Sequence, residues 1–432
     1  MNGTGPADAA GPPGEAAAPA DDPPQARLVP PPEFLSWPTP RAVLAALPGA
    51  RAVGGCVRDA LAGLPVHDVD VAAPLPPETI AERLRAAGLK VFETGLAHGT
   101  VTAVLDRQPV EVTSLRRDVA TDGRHATVEW TTDWRADAAR RDFTINAMSL
   151  SAEGDLWDYF GGRDDLARGV VRFVGDPATR LAEDYLRALR FFRFHARYGR
   201  GAPDPAAVAA IRAAVPGLAR LSAERVWMEL KRLLEAPDPC DALALMAETG
   251  VLGAVLPEVV EGGRVPRLEA LRRLIARGLP PDPVLRLAVL VGESAPRRIG
   301  ELAARLRLSG EERDRLARLL VDGGEAPPEP GLDDDGLRRL LALRGPDAVD
   351  VLWLAEARDG RDRAADRARA AAMPAPAFPL TGADVLALGI PEGPRVGALL
   401  RAVRDRWLAG GCTADRATCL AWLRELAGPG AV

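Results

Sequence analysis

Apolar residues recur along this chain at two different periods, and the change between them organises it. Up to about residue 31 there is almost no large apolar side chain to bury, only Ala, Pro, Gly and Asp, which predicts a disordered tail over residues 1–31. Folded structure is expected from Pro32, with Phe34 and Leu35 leading into a helical pattern over Pro40–Ala46. The stretch Ala52–Ala72 reads AVGGCVRDALAGLPVHDVDVA: an apolar lead-in, Gly54-Gly55, a short helical stretch carrying Arg58 and Asp59, then an alternating strand that presents Asp68 and Asp70. Helical spacing returns over Pro77–Ala87. Gly99–Leu105 and Val110–Thr113 then alternate as strands and predict a hairpin around Asp106-Arg107-Gln108. Leu115–Ala126, LRRDVATDGRHA, is polar and contains glycine, so a mobile loop is expected there.

Downstream the period lengthens. Arg180–Phe194 reads as one helix: Leu181, Tyr185, Leu189 and Phe192 form a buried stripe, and Asp184, Arg187, Arg190 and Arg193 recur every third residue as a polar strip. Ser222 is placed to cap a further amphipathic helix running through Trp227 to Lys231. From Pro237 onward the pattern is helical, punctuated by turns such as Pro280–Pro283 and Gly323–Gly331. The fold class that follows is α+β, a small mixed sheet with helices followed by an all-α remainder.

A length of 432 residues exceeds what one core organises, so two or more domains are expected. Lysine occurs only at 90 and 231, and the other basic residues are arginine, a bias consistent with a GC-rich genome rather than selection for guanidinium chemistry. The net charge of −5 gives no global case for a polyanionic partner, but Arg180–Arg232 holds eleven Arg or Lys against five Asp or Glu, a local excess that can face phosphates. Cys56, Cys240, Cys412 and Cys419 are scattered without C-x-x-C spacing, which points to a reduced cytoplasm and no structural zinc. No apolar run approaches the roughly 20 residues that span a bilayer, and the N-terminus lacks the pattern of a signal peptide. No membrane and no protein partner are implied.

The chemistry concentrates in Ala52–Ala72. Carboxylates two apart on a strand share one face. Asp68 and Asp70 therefore repel each other unless a cation lies between them, and hard divalent ions take such oxygen ligands together with substrate phosphates. The two glycines let backbone N–H groups approach a triphosphate, beside a helix N-terminus that favours negative charge. An isolated D-x-D fits a solvated edge strand as well. The combination GGCVRD followed at fixed spacing by D-V-D resembles the nucleotide site of the polymerase-beta-like nucleotidyltransferases, in the form found in the class II CCA tRNA nucleotidyltransferase and bacterial poly(A) polymerase family.

Further strings carry the same resemblance: RRDFTINAM over Arg140–Met148, the hinge-like Asp158–Leu166, EDYLRALRFFRF from Glu183, and the neck-like helix after Ser222. The resemblance implies a nucleotidyltransferase head over 32–165, a helical neck for base recognition over 166–235, and a helical body and tail over 236–432 that binds tRNA. It implies that Asp68 and Asp70 hold Mg2+, with Glu111 as third catalytic carboxylate from a neighbouring strand. Gly54, Gly55, Arg58 and Arg141 would meet the phosphates and Asp142 the ribose hydroxyls, with Asn146 in the same nucleotide-binding string. The loop at 115–126 would assist a change from CTP to ATP.

The motif E-D-x-x-R matches Glu183-Asp184 and Arg187. A carboxylate accepts from the exocyclic amino group of cytosine or adenine, while guanine and uracil put a carbonyl oxygen there, which it repels. Asp184 with Arg187 can therefore select CTP and ATP without a nucleic-acid template. Arg190 and Arg193 contribute to nucleotide binding or to neck architecture. The implied reaction adds CMP and AMP to the tRNA 3′ end with release of pyrophosphate. A poly(A) polymerase, or an enzyme adding only CC or only A, carries the same head and neck motifs. A fused His-Asp phosphohydrolase is excluded, because His67, His98, His125 and His195 all precede the helical half.

Overall fold

In the computed structural model, residues 23–95, 99–121, 126–292, 299–320 and 328–428 are described. The chain forms two compact units, one of Met1–Phe191 with Tyr198–Ala214 and the other of Phe192–Arg197 with Val215–Val432. The division runs inside the span expected as neck. The expected tail is outside the described residues up to 22, but its last part is not a tail.

The first unit is built on a sheet of eight strands. In chain order these are β1 (Ala26–Arg27), β2 (Arg51–Val53), β3 (Asp70–Ala73), β4 (Lys90–Gly95), β5 (Thr100–Leu105), β6 (Gln108–Ser114), and, after the ribbon strands β7 (Arg116–Thr121) and β8 (Ala126–Trp130), β9 (Ser149–Leu150) and β10 (Asp155–Trp157). The spatial order is β1-β10-β9-β2-β3-β6-β5-β4. Among the described residues only β3 and β6 pair in parallel; the other neighbours in this sheet are antiparallel. Strand β1 corrects the N-terminal expectation: Gln25 N–H and Leu28 N–H donate to Leu156 and Gly154 carbonyls at 2.9 and 2.8 Å. The pairing rests on backbone hydrogen bonds and polar side chains, Arg27 with Asp155 at 3.6 Å and Gln25 Oε1 accepting from the Asp158 N–H at 2.8 Å, so no hydrophobic period announces it.

The predicted hairpin is β5–β6, with Leu105 opposite Gln108. Its two turn residues, Asp106 and Arg107, both have positive φ (50° and 65°), the backbone of a two-residue turn whose twist matches the strands it joins. The loop expected at 115–126 is instead largely the two-stranded ribbon β7–β8, whose connection at 122–125 is outside the described residues. Pairing of a polar ribbon needs no alternating apolar face, which is why the sequence reads as loop.

Helices α1 (Pro38–Ala46), α2 (Gly55–Leu61), α3 (Pro77–Ala86), α4 (Trp134–Ala139), α5 (Gly162–Arg168) and α6 (Pro177–Glu183) complete this unit with part of α7 (Leu186–Tyr198) and with α8 (Pro205–Ala214). The continuous helix expected over Arg180–Phe194 is broken at Asp184-Tyr185. Asp184 has extended backbone (φ −155°, ψ 107°), and its carboxylate accepts the Leu186 N–H at 3.0 Å. Aspartate competes with helix continuation in this way, satisfying the orphan donors that begin the next helix.

Among its described residues the second unit is built from helices and their connections, with one isolated antiparallel bridge between Glu261 and Arg264. Ser222 caps α9 (Ala223–Leu234), its hydroxyl accepting from Arg225 N–H at 3.5 Å. Further on, the buried Glu356 accepts from Arg277, from Arg367 and from the Arg363 backbone N–H. The C-terminal helices Pro394–Ala409 and Arg416–Ala427 enclose a separate core around Val385, Val403, Trp407, Cys419 and Leu423. All four cysteines are free and buried. Among the described residues no helix is long and apolar enough to cross a membrane.

Candidate nucleotide site

Strand β2 is buried along its length and delivers the chain to Gly54, whose φ of +73° and ψ of −124° suit glycine. Helix α2 starts at Gly55, so the turn precedes a helix N-terminus. A Cβ on Gly54 would lie 3.2 Å from Arg141 Nη1, which places that guanidinium over the glycine turn. Arg141 also donates to the Asn146 carbonyl at 3.4 Å and pairs with Asp137 at 3.3 Å. Asp137 is buried; burial alone would raise its carboxyl, but the charges of Arg141 and Arg140 outweigh this and hold it low.

The parallel pairing of β3 with β6 sets Asp70 opposite Glu111 and Val71 opposite Val112. Val71, Val110 and Val112 are buried while Asp70 and Glu111 remain exposed, so the two acids share the open face of adjacent strands about 4.8 Å apart. Asp68 is exposed too, but it precedes β3 rather than belonging to it. Its contribution therefore comes from extended approach and not from strand alternation. Asp70 has an open side, yet the protein behind it removes part of its hydration, and that burial is the largest influence raising its carboxyl above the usual range. Repulsion from Glu111 and Asp68 adds to it, and Arg141 opposes it. Thus Asp68, Asp70, Glu111, Arg141 and the glycine turn are brought together. Among the described residues no three acids, histidines or cysteines converge on one point as a complete metal cage.

Behind this open face lies a buried polar network. Arg58 is buried and donates from Nη1 to Asn146 Oδ1 at 2.6 Å. Asn146 Nδ2 donates to Asp142 Oδ1 at 3.0 Å, and Asp142 Oδ2 accepts from Arg190 Nε at 2.6 Å. The Phe143 N–H also donates to Asp142 Oδ1, at 2.9 Å. Burial would raise the Asp142 carboxyl; Arg190's charge and these hydrogen bonds prevail and keep it below the ordinary range. A ribose hydroxyl at Asp142 would have to join these donors. Arg193 lies elsewhere in the contact pattern, its Nε 2.6 Å from Glu229 Oε2.

Arg187 donates from Nη1 to the Arg180 carbonyl at 2.9 Å and pairs with Glu183. Glu183, which the sequence shows only as the first residue of E-D-x-x-R, stands one turn before Arg187 on the opposite side of the break. The sequence likewise assigns no role to Asp59, to Tyr198 or to the Cys56 thiol. The Cys56 thiol donates to the Val53 carbonyl at 3.3 Å, and burial raises it to about 12, so it is a packed thiol rather than a nucleophile.

Residues 50–172 match the family described as "Poly A polymerase head domain", and residues 202–261 match "Probable RNA and SrmB- binding site of polymerase A". The chain is 38% identical over 368 residues to CCA tRNA nucleotidyltransferase 1, mitochondrial, of Danio rerio, covering 83% of each chain. To the Homo sapiens protein of the same name it is 35% identical, covering 87% of this chain and 86% of that one. Among solved structures, the Bacillus stearothermophilus CCA-adding enzyme in complex with CTP superposes with a TM-score of 0.72 at 29% identity, over 90% of this chain and 98% of that one.

Proposed function

The chain belongs to the CCA tRNA nucleotidyltransferase family, and from that premise we propose that it adds CMP and AMP, from CTP and ATP, to tRNA 3′ ends without a nucleic-acid template. The observation that carries the chemistry is the Asp70–Glu111 register beside Asp68, facing the Gly54 turn under Arg141. In the reaction the 3′-hydroxyl oxygen of the tRNA attacks the α-phosphorus, the bond to the β-phosphate oxygen breaks, and pyrophosphate leaves. The Gly54-Gly55 backbone and Arg141 orient the triphosphate, and Arg58 supports them from the buried side. Glu111 is the third carboxylate of the site.

The donor set fits Mg2+: carboxylate oxygens are hard ligands, and Asp70, raised first by burial and then by repulsion from Glu111 and Asp68, stands in a site short of positive charge. Asp68 and Asp70 would hold it, and when bound it lowers the pKa of the attacking hydroxyl and neutralises the triphosphate. Asp142, Asn146 and Arg190 shape the ribose side. Asp184 and Arg187 read the base edge, with Glu183 holding Arg187. Arg193 supports the neck through Glu229. We assign catalysis to residues 32–165, base recognition to 166–235 and tRNA binding to 236–432. Four unpaired thiols fit a cytoplasmic setting; the vertebrate relatives carry names that place those proteins in mitochondria.

The test is incubation with Mg2+ and tRNA lacking its CCA end, supplying CTP alone, ATP alone and both, with product length read to one nucleotide. Two additions from CTP and a third with both nucleotides are expected. A long ladder from ATP alone would mean poly(A) synthesis and would overturn the base-reading assignment of Asp184 with Arg187.

A further inference from the structure

Arg58 is held by two groups that have no part in the chemistry above. Asp59 accepts from Arg58 Nε and Nη2 at 3.1 and 3.2 Å through its two oxygens. Adjacent residues on a helix do not face each other, so α2 alone does not favour this pairing and something outside it must hold Arg58 folded back. Tyr198, at the far end of α7, supplies that hold. Its hydroxyl donates to Asp59 Oδ1 at 2.5 Å, and its ring lies 4.5 Å from the guanidinium carbon of Arg58. The guanidinium thus has a carboxylate along one edge, the Asn146 amide oxygen at another and an aromatic ring against its face. A planar fork fixed on three sides cannot rotate without breaking all of these contacts together.

We propose that Asp59 and Tyr198 are positioning residues for the incoming triphosphate, locking Arg58 behind the Gly54-Gly55 turn so that CTP and ATP depend on them equally. Tyr198 and Arg190 sit on the same helix, tied to the head through Asp59 and Asp142 respectively. The helix that begins at the base-reading Asp184 is in this way clipped to the phosphate turn. The proposal rests on the nucleotidyltransferase reading.

The experiment measures steady-state kinetics of full-length wild type, Tyr198→Phe and Asp59→Asn, with CTP on tRNA lacking CCA and with ATP on tRNA ending in CC. Tyr198→Phe keeps the ring and removes only the hydroxyl. Loss of a hydrogen bond to a charged group predicts KM raised about tenfold for both nucleotides by the same factor, with kcat changed less than about twofold. Asp59→Asn should raise KM at least as much, and the double variant no further, because the two act through one contact. Unchanged KM in both single variants, or a change confined to one nucleotide, overturns the proposal. So does a loss of thermal stability with KM unaltered. If Tyr198→Phe does not fold, CTP affinity of Asp59→Asn against wild type decides by the same criterion. Wild-type protein that incorporates neither nucleotide would instead remove the underlying reading, a failure visible before any variant is compared.

Discussion

Replacing Asp142 by asparagine tests whether the ribose side of the site is held by charge. The carboxylate is 9% exposed and accepts from Arg190, Asn146 and the Phe143 N–H. Asparagine preserves the shape but sets an NH2 group or a weaker acceptor against Arg190. Removing one partner of a buried ion pair costs roughly 3–5 kcal/mol, and because the Arg190 side chain is 31% exposed, water recovers part of this, leaving about 2–3 kcal/mol. In a unit of this size that lowers the unfolding temperature by about 4–12 °C, read as the midpoint of the transition reporting on the first unit. Two units forbid a single two-state free energy, so midpoints are compared. The pH dependence supplies a second check. A carboxyl depressed on folding stabilises above its unfolded pKa of about 3.9, and that contribution is lost as pH falls through the folded value. The gap between wild type and Asp142→Asn should therefore close below about pH 4. A shift under about 1 °C at pH 7, or a gap that widens on acidification, would refute the argument.

Asp70→Ala should abolish addition of both nucleotides, since it empties the centre of the acid group; full activity in the primer-extension assay would refute the assignment. Asp184→Ala should chiefly relax base choice, seen as incorporation of UTP or GTP, and unfreeze the start of α7, where it accepts the Leu186 N–H. Glu183→Gln removes the carboxylate that pairs with both Arg187 and Arg180 and should weaken CTP-over-UTP discrimination; because these side chains are less than a fifth exposed, a loss of about 1–2 kcal/mol is expected, read as a first-unit midpoint lowered by about 2–8 °C. Gly162→Ala would drive a Cβ to 2.1 Å from the Thr144 carbonyl oxygen, so a destabilisation of at least about 2 kcal/mol is expected by denaturant titration.

The sequence carried those parts whose physics is local. The glycine turn, the hairpin and the Ser222 cap each depend on a few neighbouring residues and are found where expected. Glu111 is expected as third carboxylate only through family resemblance; what the fold adds is its register opposite Asp70. What escaped was set by tertiary partners. The apolar stripe through Leu181 and Leu189 continues across Asp184, so periodicity cannot reveal that a side chain there ends one helix and begins another. Asp68 alternates correctly with Asp70 yet lies outside the strand, because hydrogen-bonded pairing starts only where β2 and β6 are both opposite. Tyr198 reads as one more aromatic in an aromatic-rich helix, and only the fold brings its hydroxyl to Asp59.

The single parallel pairing in the sheet bears on how the gene can change length. Because side chains alternate with period two, sliding β6 by one residue against β3 would turn Glu111 away from Asp70 and expose Val110 and Val112 in its stead. An inserted or deleted codon within Asp70–Ala73 or Gln108–Ser114 therefore destroys the acid pair even where the residue itself is retained. The Asp106-Arg107 turn and the stretch between α3 and β4 lie outside that register. Length variation among descendants of this chain should collect there, leaving the two strands fixed in step like paired teeth.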